Sequence, residues 1–299
     1  MTFEPRPLAQ GELRVGATTI DLARRFAVMA IVNRTPDSFY DRGATFALDA
    51  AIAAGVAAVA DGADFIDVGG VKFAPGPALP IADEIARVIP VVRELAALAP
   101  VSVDTFHPEV AQAAIEAGAS IINDTTGLRT AAMADVVAAG GATIVIAHSL
   151  AQPRTQLPQP HYDDVVTEVA AFLNARRGLA LDRGVPADRI VLDPGHDLNK
   201  NTLHSLELTR RLEELTELGA PLLVALSNKD FIGETLARDR GDRVAGSISA
   251  AVVCALKGAR IVRTHNVRPT ADALRMVEAV LGWREPAYLV HNMRPEGND

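Results

Sequence analysis

The sequence has one cysteine, Cys254, and few aromatic residues, which make up 4% of its 299 residues. A single cysteine excludes an intrachain disulfide and a cysteine-rich metal site. The 29 basic residues are fewer than the 37 acidic ones and form no patch, so we expect no nucleic-acid partner. The start lacks the apolar core of a signal peptide, and no apolar run is long enough to span a bilayer. We therefore expect a cytoplasmic protein without membrane contact.

The chain alternates between short β-branched apolar runs and longer stretches rich in Ala, Leu, Arg and Glu with helical spacing. This alternation predicts parallel strands joined by helices. The predicted strands are 27–32, 65–68, 101–103, 120–122, 143–146, 190–192, 222–226 and 261–262. About eight such units predict a closed (β/α)8 TIM barrel, with 1–299 as a single domain and a core of about 24–283. Residues 12–21 predict a short N-terminal β-hairpin that closes the bottom of the barrel.

An open doubly wound sheet is the main alternative fold. It would need a glycine-rich phosphate-binding turn after the first strand. The residues at that position are Asn33-Arg34-Thr35-Pro36-Asp37, which contain no glycine. The sequence therefore favours the barrel.

Every predicted strand is followed by polar or charged side chains. In chain order these are Asn33, Asp67, Asp104, Asn123 with Asp124, His148, Asp193, Ser227 with Lys229, and Arg263 with His265. A single Asp after a strand is ordinarily a helix cap. Eight polar strand ends converging on one barrel mouth indicate a ligand site, because burying them without partners is costly.

The chemistry of these side chains suits a flat heterocycle with several N–H and C=O groups. The candidate ring contacts are Asp104, Asn123, Asp193 and Lys229. A carboxylate can accept two adjacent N–H groups, and a lysine can donate to a ring carbonyl. Arg263 and His265 offer donors to an anion or a face for stacking, and Asn33 offers a neutral oxygen to a hard cation.

At these residues the sequence resembles the dihydropteroate synthase family, from about residue 26 to residue 267. The motifs that carry the resemblance are Asn33-Arg34-Thr35-Pro36-Asp37-Ser38-Phe39, the run of residues 62–70, Ser102-Val103-Asp104-Thr105, Ile122-Asn123-Asp124, Leu192-Asp193-Pro194-Gly195, Ser227 and Lys229 with Phe231-Ile232-Gly233, and Arg263-Thr264-His265-Asn266. The resemblance implies a TIM-barrel transferase of folate biosynthesis. Such an enzyme condenses 6-hydroxymethyl-dihydropterin diphosphate with p-aminobenzoate, and Mg²⁺ aids the departure of diphosphate.

The resemblance also assigns roles to particular residues. It implies pterin contacts at Asp104, Asn123, Asp193 and Lys229, diphosphate contacts at Asn33, Arg263 and His265, and magnesium at Asn33. Asp104, Lys229 and Arg263 are then the candidate catalytic residues. The resemblance further implies a homodimer through helices near 203–218 and 245–281, and binding of sulfonamide or sulfone analogues in place of p-aminobenzoate.

Three loops depart from the family pattern. Glu-Ser-Thr-Arg-Pro-Gly is replaced by Val71-Lys72-Phe73-Ala74-Pro75-Gly76, Ser-Arg-Lys by Ser227-Asn228-Lys229, and Ile-Gly-Phe-Gly-Lys by His196-Asp197-Leu198-Asn199-Lys200. Two loop arginines are lost, and Arg34, Lys72 and Lys200 are the candidates to compensate for them. We therefore predict a diverged second copy of the family that keeps a pterin pocket but has weak or lost synthase activity.

Two alternatives remain open from the sequence. One is a fully active dihydropteroate synthase whose loop charges compensate. The other is a different pterin-binding or metal-dependent barrel enzyme, which the group Asp193, His196, Asp197 and His204 would suit. A simpler interpretation is that His196 and Asp197 make local polar contacts within their loop.

Overall fold

The computed structural model describes residues 5–34, 47–155 and 157–292. A two-stranded antiparallel hairpin, β1 (Glu12–Val15) and β2 (Thr18–Asp21), comes first. Eight parallel strands follow and close into a barrel: β3 (Ala27–Asn33), β4 (Phe65–Gly69), β5 (Val101–Asp104), β6 (Ile121–Asp124), β7 (Thr143–Ala147), β8 (Ile190–Asp193), β9 (Leu222–Ala225) and β10 (Ala259–Thr264). Barrel neighbours follow chain order, and β10 pairs with β3. The predicted TIM barrel and hairpin are confirmed.

Helices connect the barrel strands on the outside. Within the described residues these are α1 (Leu48–Ala60), α2 (Ile81–Leu95), α3 (Pro108–Glu116), α4 (Ala131–Gly140), α5 (Val165–Asp182), α6 (Thr202–Arg210), α7 (Asp230–Leu236), α8 (Val244–Leu256) and α9 (Val267–Val280). Short 3₁₀ helices span Ala187–Arg189, Leu212–Leu218 and Arg240–Asp242. The helix α2 shows the common pattern, since Val88, Val92 and Leu95 recur at helical spacing and are buried against the barrel.

The hairpin closes the bottom of the barrel with apolar side chains. Leu13 and Val15 of β1 are almost completely buried, and with Leu22 they join the cluster of side chains that fills the barrel interior. The buried Arg260 of β10 holds the segment there by donating from Nε to the Leu22 carbonyl at 3.0 Å. This arrangement leaves the carboxyl ends of the strands as the end where polar side chains gather.

A second apolar layer lies between the strands and the surrounding helices, and it contains Cys254. The thiol is fully buried, and burial raises its pKa to about 12. Cys254 therefore packs in the core, where burial keeps its thiol protonated. Within the described residues, no helix is long and apolar enough to cross a membrane.

Because the hairpin closes the bottom of the barrel, we predict that its buried side chains contribute to the stability of the fold. Replacing Leu13 by Ala removes a side chain that is 1% exposed at the barrel bottom. We expect the free energy of unfolding to fall by about 2–5 kcal/mol in urea denaturation, because a cavity remains. Thr19→Ala, on the exposed face of β2, is the matched control and should change little. Equal effects of the two substitutions would contradict the sealing role.

Candidate functional site

Buried carboxylates and one arginine form a network at the carboxyl ends of four barrel strands. Asp67, in the middle of β4, is completely buried and accepts from Arg263 Nε at 2.6 Å and from Asn123 Nδ2 at 3.3 Å. Ser102 donates its hydroxyl to the other oxygen of Asp67. Arg263 also donates from Nη2 to Asp104 at 3.0 Å. Asp67 therefore holds three predicted site residues in place. It binds Arg263 and Asn123 directly, and it holds Asp104 through Arg263.

The charges in this network depend strongly on one another. Burial lowers the pKa of Arg263, but Asp67 and Asp104 outweigh burial and raise it overall, so the guanidinium stays charged. Burial raises the pKa of Asp104 to about 7, despite the nearby Arg263. A carboxyl group that is partly protonated near neutral pH has a high cost of ionisation. A ligand that presents N–H donors to Asp104 lowers this cost.

Asp193 and Lys229 come from two neighbouring strands, since Asp193 ends β8 and Lys229 follows β9. Asp193, at the end of β8, accepts from the Gly195 amide at 2.7 Å. Burial raises the pKa of Asp193, and Lys229 acts against this shift. Burial lowers the pKa of Lys229, which is opposed most by Asp197 and then by Asp193. The Lys229 ammonium donates to the His196 carbonyl.

A cavity of about 70 Å³ lies at the ends of β3, β9 and β10. Its described lining residues are Ile31, Asn33, Ala225, Ser227, Lys229, Arg263 and His265. The imidazole of His265 is held by the Ser227 hydroxyl, 3.1 Å from Nδ1. Four predicted site residues therefore line one cavity, and the hydrogen bonds and charges above connect Asp104, Asn123 and Asp193 to it.

Two other polar strand ends have structural roles. Asp124 accepts the amides of Thr126 at 2.8 Å and Leu128 at 2.9 Å, so it caps its own loop. His148 is buried, which lowers its pKa to about 2, and its Nδ1 lies 2.8 Å from the Lys200 ammonium. These two side chains shape the loops around the mouth.

The candidate compensating cations lie in different surroundings. Lys200 is buried and also donates to the carbonyls of Gly195 at 2.9 Å and Leu198 at 3.1 Å, so its ammonium braces the β8–α6 loop. Arg34 donates to the carbonyls of Ala86 and Arg87 in α2. Residues 35–39 of the first motif lie outside the described residues.

The group Asp193, His196, Asp197 and His204 does not form a metal centre. His196 Nε2 lies 3.2 Å from the Thr209 hydroxyl, and Asp197 accepts the hydroxyl of Ser205 at 3.2 Å. His204 closes the cap of α6 with Asn201. In the described parts of the chain, no three His, Cys, Asp or Glu side chains are arranged to hold a metal. His196 and Asp197 thus make polar contacts, as expected, but their partners lie on helices α6 and α7 and not within their own loop.

An arginine that the sequence interpretation did not identify holds the altered β4–α2 loop. Arg154, in the β7–α5 loop, donates from its guanidinium to the carbonyls of Lys72 at 3.2 Å, Ala74 at 2.6 Å and Pro77 at 3.0 Å. A Cβ at Gly76 would lie 2.1 Å from Arg154 Nη2, so any larger residue there would have to displace the guanidinium. Only the structure reveals Arg154, because its partners are distant in sequence and are backbone atoms.

The fold and the polar mouth define a class of protein, the TIM barrels with a ligand site at the carboxyl ends of the strands. The model of the pterin binding enzyme family matches residues 29–265. The chain belongs to this family.

Several members of the family are similar along most of their length. The inactive dihydropteroate synthase 2 of Mycobacterium leprae is 45% identical over 283 residues, covering 91% of this chain and 96% of the relative. The dihydropteroate synthase of Escherichia coli is 38% identical over 271 residues, covering 90% and 96%. The structure of Xanthomonas albilineans dihydropteroate synthase with 4-aminobenzoic acid superposes with a TM-score of 0.84 at 41% identity, covering 91% and 98%.

The Arg154 contacts predict a loop-specific effect. In Arg154→Ala, we expect amide hydrogen exchange at Lys72, Phe73, Ala74 and Gly76 to accelerate by about tenfold or more, because the hydrogen bonds to their loop are lost. Arg129→Ala is the control, since Arg129 binds the β7–α5 loop through the Leu150 carbonyl at 3.0 Å. Unchanged exchange in Arg154→Ala, or equal acceleration in the control, would contradict the role of Arg154.

Proposed function

We propose that this protein is a dihydropteroate synthase-like, pterin-binding protein whose synthase activity is weak or lost. The proposal rests on a difference between two parts of the site at the barrel mouth: the residues on the pterin side are kept, and the loop arginines are lost. The predicted pterin-side residues Asp104, Asn123, Asp193 and Lys229 are all present around it. The two loop arginines of the family pattern are replaced by Ala74 and Asn228.

The pterin side of the site works through complementary hydrogen bonds. Asp193 accepts N–H groups from the guanidine-like edge of the ring, and Lys229 donates to its carbonyl oxygen. Asp104 and Asn123 satisfy the remaining polar edge. Supporting this assignment, Asp193 is buried, Lys229 is half-buried, and each charge stabilises the other, so a bound ring would replace this mutual stabilisation with directed hydrogen bonds.

Asn33, Arg263 and His265 form the side that would meet diphosphate, and all three line the 70 Å³ cavity. Together with Asp104 and Lys229, Arg263 is proposed as a catalytic residue that stabilises charge on the reacting groups. Asn33 supplies one neutral oxygen, which fits a Mg²⁺ that obtains its other ligands from diphosphate and water. When bound, magnesium would stabilise the negative charge on the departing diphosphate.

The altered loops account for weak or lost turnover. Asn228 is 1% exposed, and its side-chain amide donates to Asn266 at 3.1 Å and Ser227 at 3.2 Å, so it presents no cation to the site. Removing one group that stabilises transition-state charge costs about 10²–10³ in kcat. Losing two arginines therefore reduces turnover by several orders of magnitude. The identity of 45% to the inactive dihydropteroate synthase 2 of Mycobacterium leprae, against 38% to the dihydropteroate synthase of Escherichia coli, supports the same conclusion.

Turnover tests the proposal directly. The purified protein is supplied with 6-hydroxymethyl-dihydropterin diphosphate, p-aminobenzoate and Mg²⁺, alongside an ordinary synthase. We expect product formation to be at least about 1,000-fold slower than in that synthase, and no rescue of a synthase-deficient host. Turnover comparable to the ordinary synthase would instead establish a fully active enzyme.

Pterin binding is the second test. Asp193→Asn should abolish binding in calorimetry, because the amide presents an N–H where the ring needs an acceptor, and Lys229→Ala should do the same. Asp135→Asn, on the surface and paired with Arg183 at 3.1 Å, is the control and should bind as the parent does. Unchanged melting temperatures would show that the fold is intact. Pterin affinity that survives both substitutions would contradict the assigned roles.

The assembly and setting of the protein are also proposals. We propose a homodimer through the helices near 203–218 and 245–281. The exposed apolar side chains of Val253 on α8 and of Met276 and Val280 on α9, at 42%, 63% and 65%, support it. We further propose one pterin-binding domain over 1–299, a cytoplasmic location, and weak binding of p-aminobenzoate or its sulfonamide and sulfone analogues.

A further inference from the structure

Lys200 is a buried lysine whose ammonium is fully used by three acceptors of the protein. The residue is 6% exposed, and its Nζ lies 2.8 Å from His148 Nδ1. Nζ also donates to the carbonyls of Gly195 at 2.9 Å and Leu198 at 3.1 Å. An ammonium has three N–H donors, so these bonds leave none for a ligand. Lys200 therefore acts on the site only through the groups that it binds.

Gly195 connects Lys200 to the carboxylate of Asp193. Its carbonyl accepts the Lys200 ammonium, and its amide donates to Asp193 Oδ1 at 2.7 Å. Its φ is +69°, and a Cβ there would lie 2.1 Å from the carbonyl oxygen of His148, so this residue lies directly against the end of β7. The His148 amide in turn donates to the Asp193 carbonyl at 2.9 Å. The turn after β8 is thus held between the end of β7 and the Lys200 ammonium.

The Gly195 amide sets the plane of the Asp193 carboxylate. A carboxylate that accepts two adjacent N–H groups must lie close to the plane of the edge that donates them, because hydrogen bonds to an sp² oxygen favour its lone-pair directions. If Gly195 shifts, Asp193 loses the bond that sets this plane. The next carbonyl in the same turn, that of His196, accepts the Lys229 ammonium. Lys200 therefore holds the turn that orients both of these pterin-side residues.

We propose that Lys200 is a positioning residue that, through Gly195, holds Asp193 in the orientation that selects a ring edge with two adjacent N–H donors. In a pterin these donors are the 2-amino group and the neighbouring ring N–H. An analogue that carries an oxo group in place of the 2-amino group is rejected. The inference rests on the proposed pterin-binding function and adds the residue that sets which ring edge the site accepts.

Tyr162 provides a matched control within the same loop. Its hydroxyl donates to the Asn199 carbonyl at 3.0 Å, which is also a bond from a buried residue to the backbone of the β8–α6 loop. This bond does not involve Gly195 or Asp193. Tyr162→Phe removes it and should leave the affinity and the selectivity for ligands unchanged.

The test measures the Kd of two ligands by calorimetry in Lys200→Met, whose side chain has a similar length but no N–H donor. The ligands are 6-hydroxymethyl-dihydropterin and its analogue with oxygen in place of the 2-amino group. In the parent protein we expect the pterin to bind about 100-fold more tightly, because the analogue places an oxygen against the Asp193 carboxylate. In Lys200→Met we expect the Kd of the pterin to rise about tenfold and that of the analogue to change less than about threefold. Lys200→Gln keeps N–H donors on a shorter side chain and should show a smaller loss of the same kind.

Each result has a distinct meaning. A loss confined to the pterin in Lys200→Met, with Tyr162→Phe unchanged, supports the inference. Equal losses for both ligands, an equal loss in Tyr162→Phe, or unchanged affinities overturn it, while pterin binding itself stands. If Lys200→Met does not fold, Lys200→Gln decides between the same results. If the parent protein binds neither ligand, the proposed function fails, and this inference fails with it.

Discussion

The pairing of Arg263 with the buried Asp67 and the half-buried Asp104 is the interaction on which the mouth of this barrel depends. Its bonds to Asp67 at 2.6 Å and Asp104 at 3.0 Å link strands at opposite ends of the chain. Removing one partner would leave an uncompensated charge in a buried site, which costs several kcal/mol. The same pairing sets the form in which Asp104 meets a ligand, because it opposes the burial that raises the pKa of Asp104 to about 7.

The sequence predicts the barrel well because buried parallel strands require continuous β-branched apolar runs, such as 143–146. Such runs can be recognised from the sequence alone. It also predicts which residues reach the mouth, since strand ends converge there. It does not reveal the central place of Asp67, whose partners Ser102, Asn123 and Arg263 are 35, 56 and 196 residues away. Backbone partners are equally hidden, as Arg154 and the carbonyls it binds illustrate.

The loops that depart from the family are connected to one another. Asn199, which replaces a glycine of the pattern, accepts the amides of Leu150 at 3.1 Å and Ala151 at 2.8 Å. That places the β8–α6 loop against the β7–α5 loop, from which Arg154 reaches the β4–α2 loop. The Asn199 substitution thus adds contacts between loops. A mouth built in this way gains internal order.

The apolar hairpin at the bottom of the barrel has a kinetic consequence. With Leu13 and Val15 packed into the interior, the strands enclose a blind cup with its opening at the polar end. A molecule bound deep in the cup must depart along the path by which it arrived. Its residence time then depends on the motion of the loops around that opening. The rate of release can therefore change while the equilibrium affinity of the residues deep in the cup stays the same.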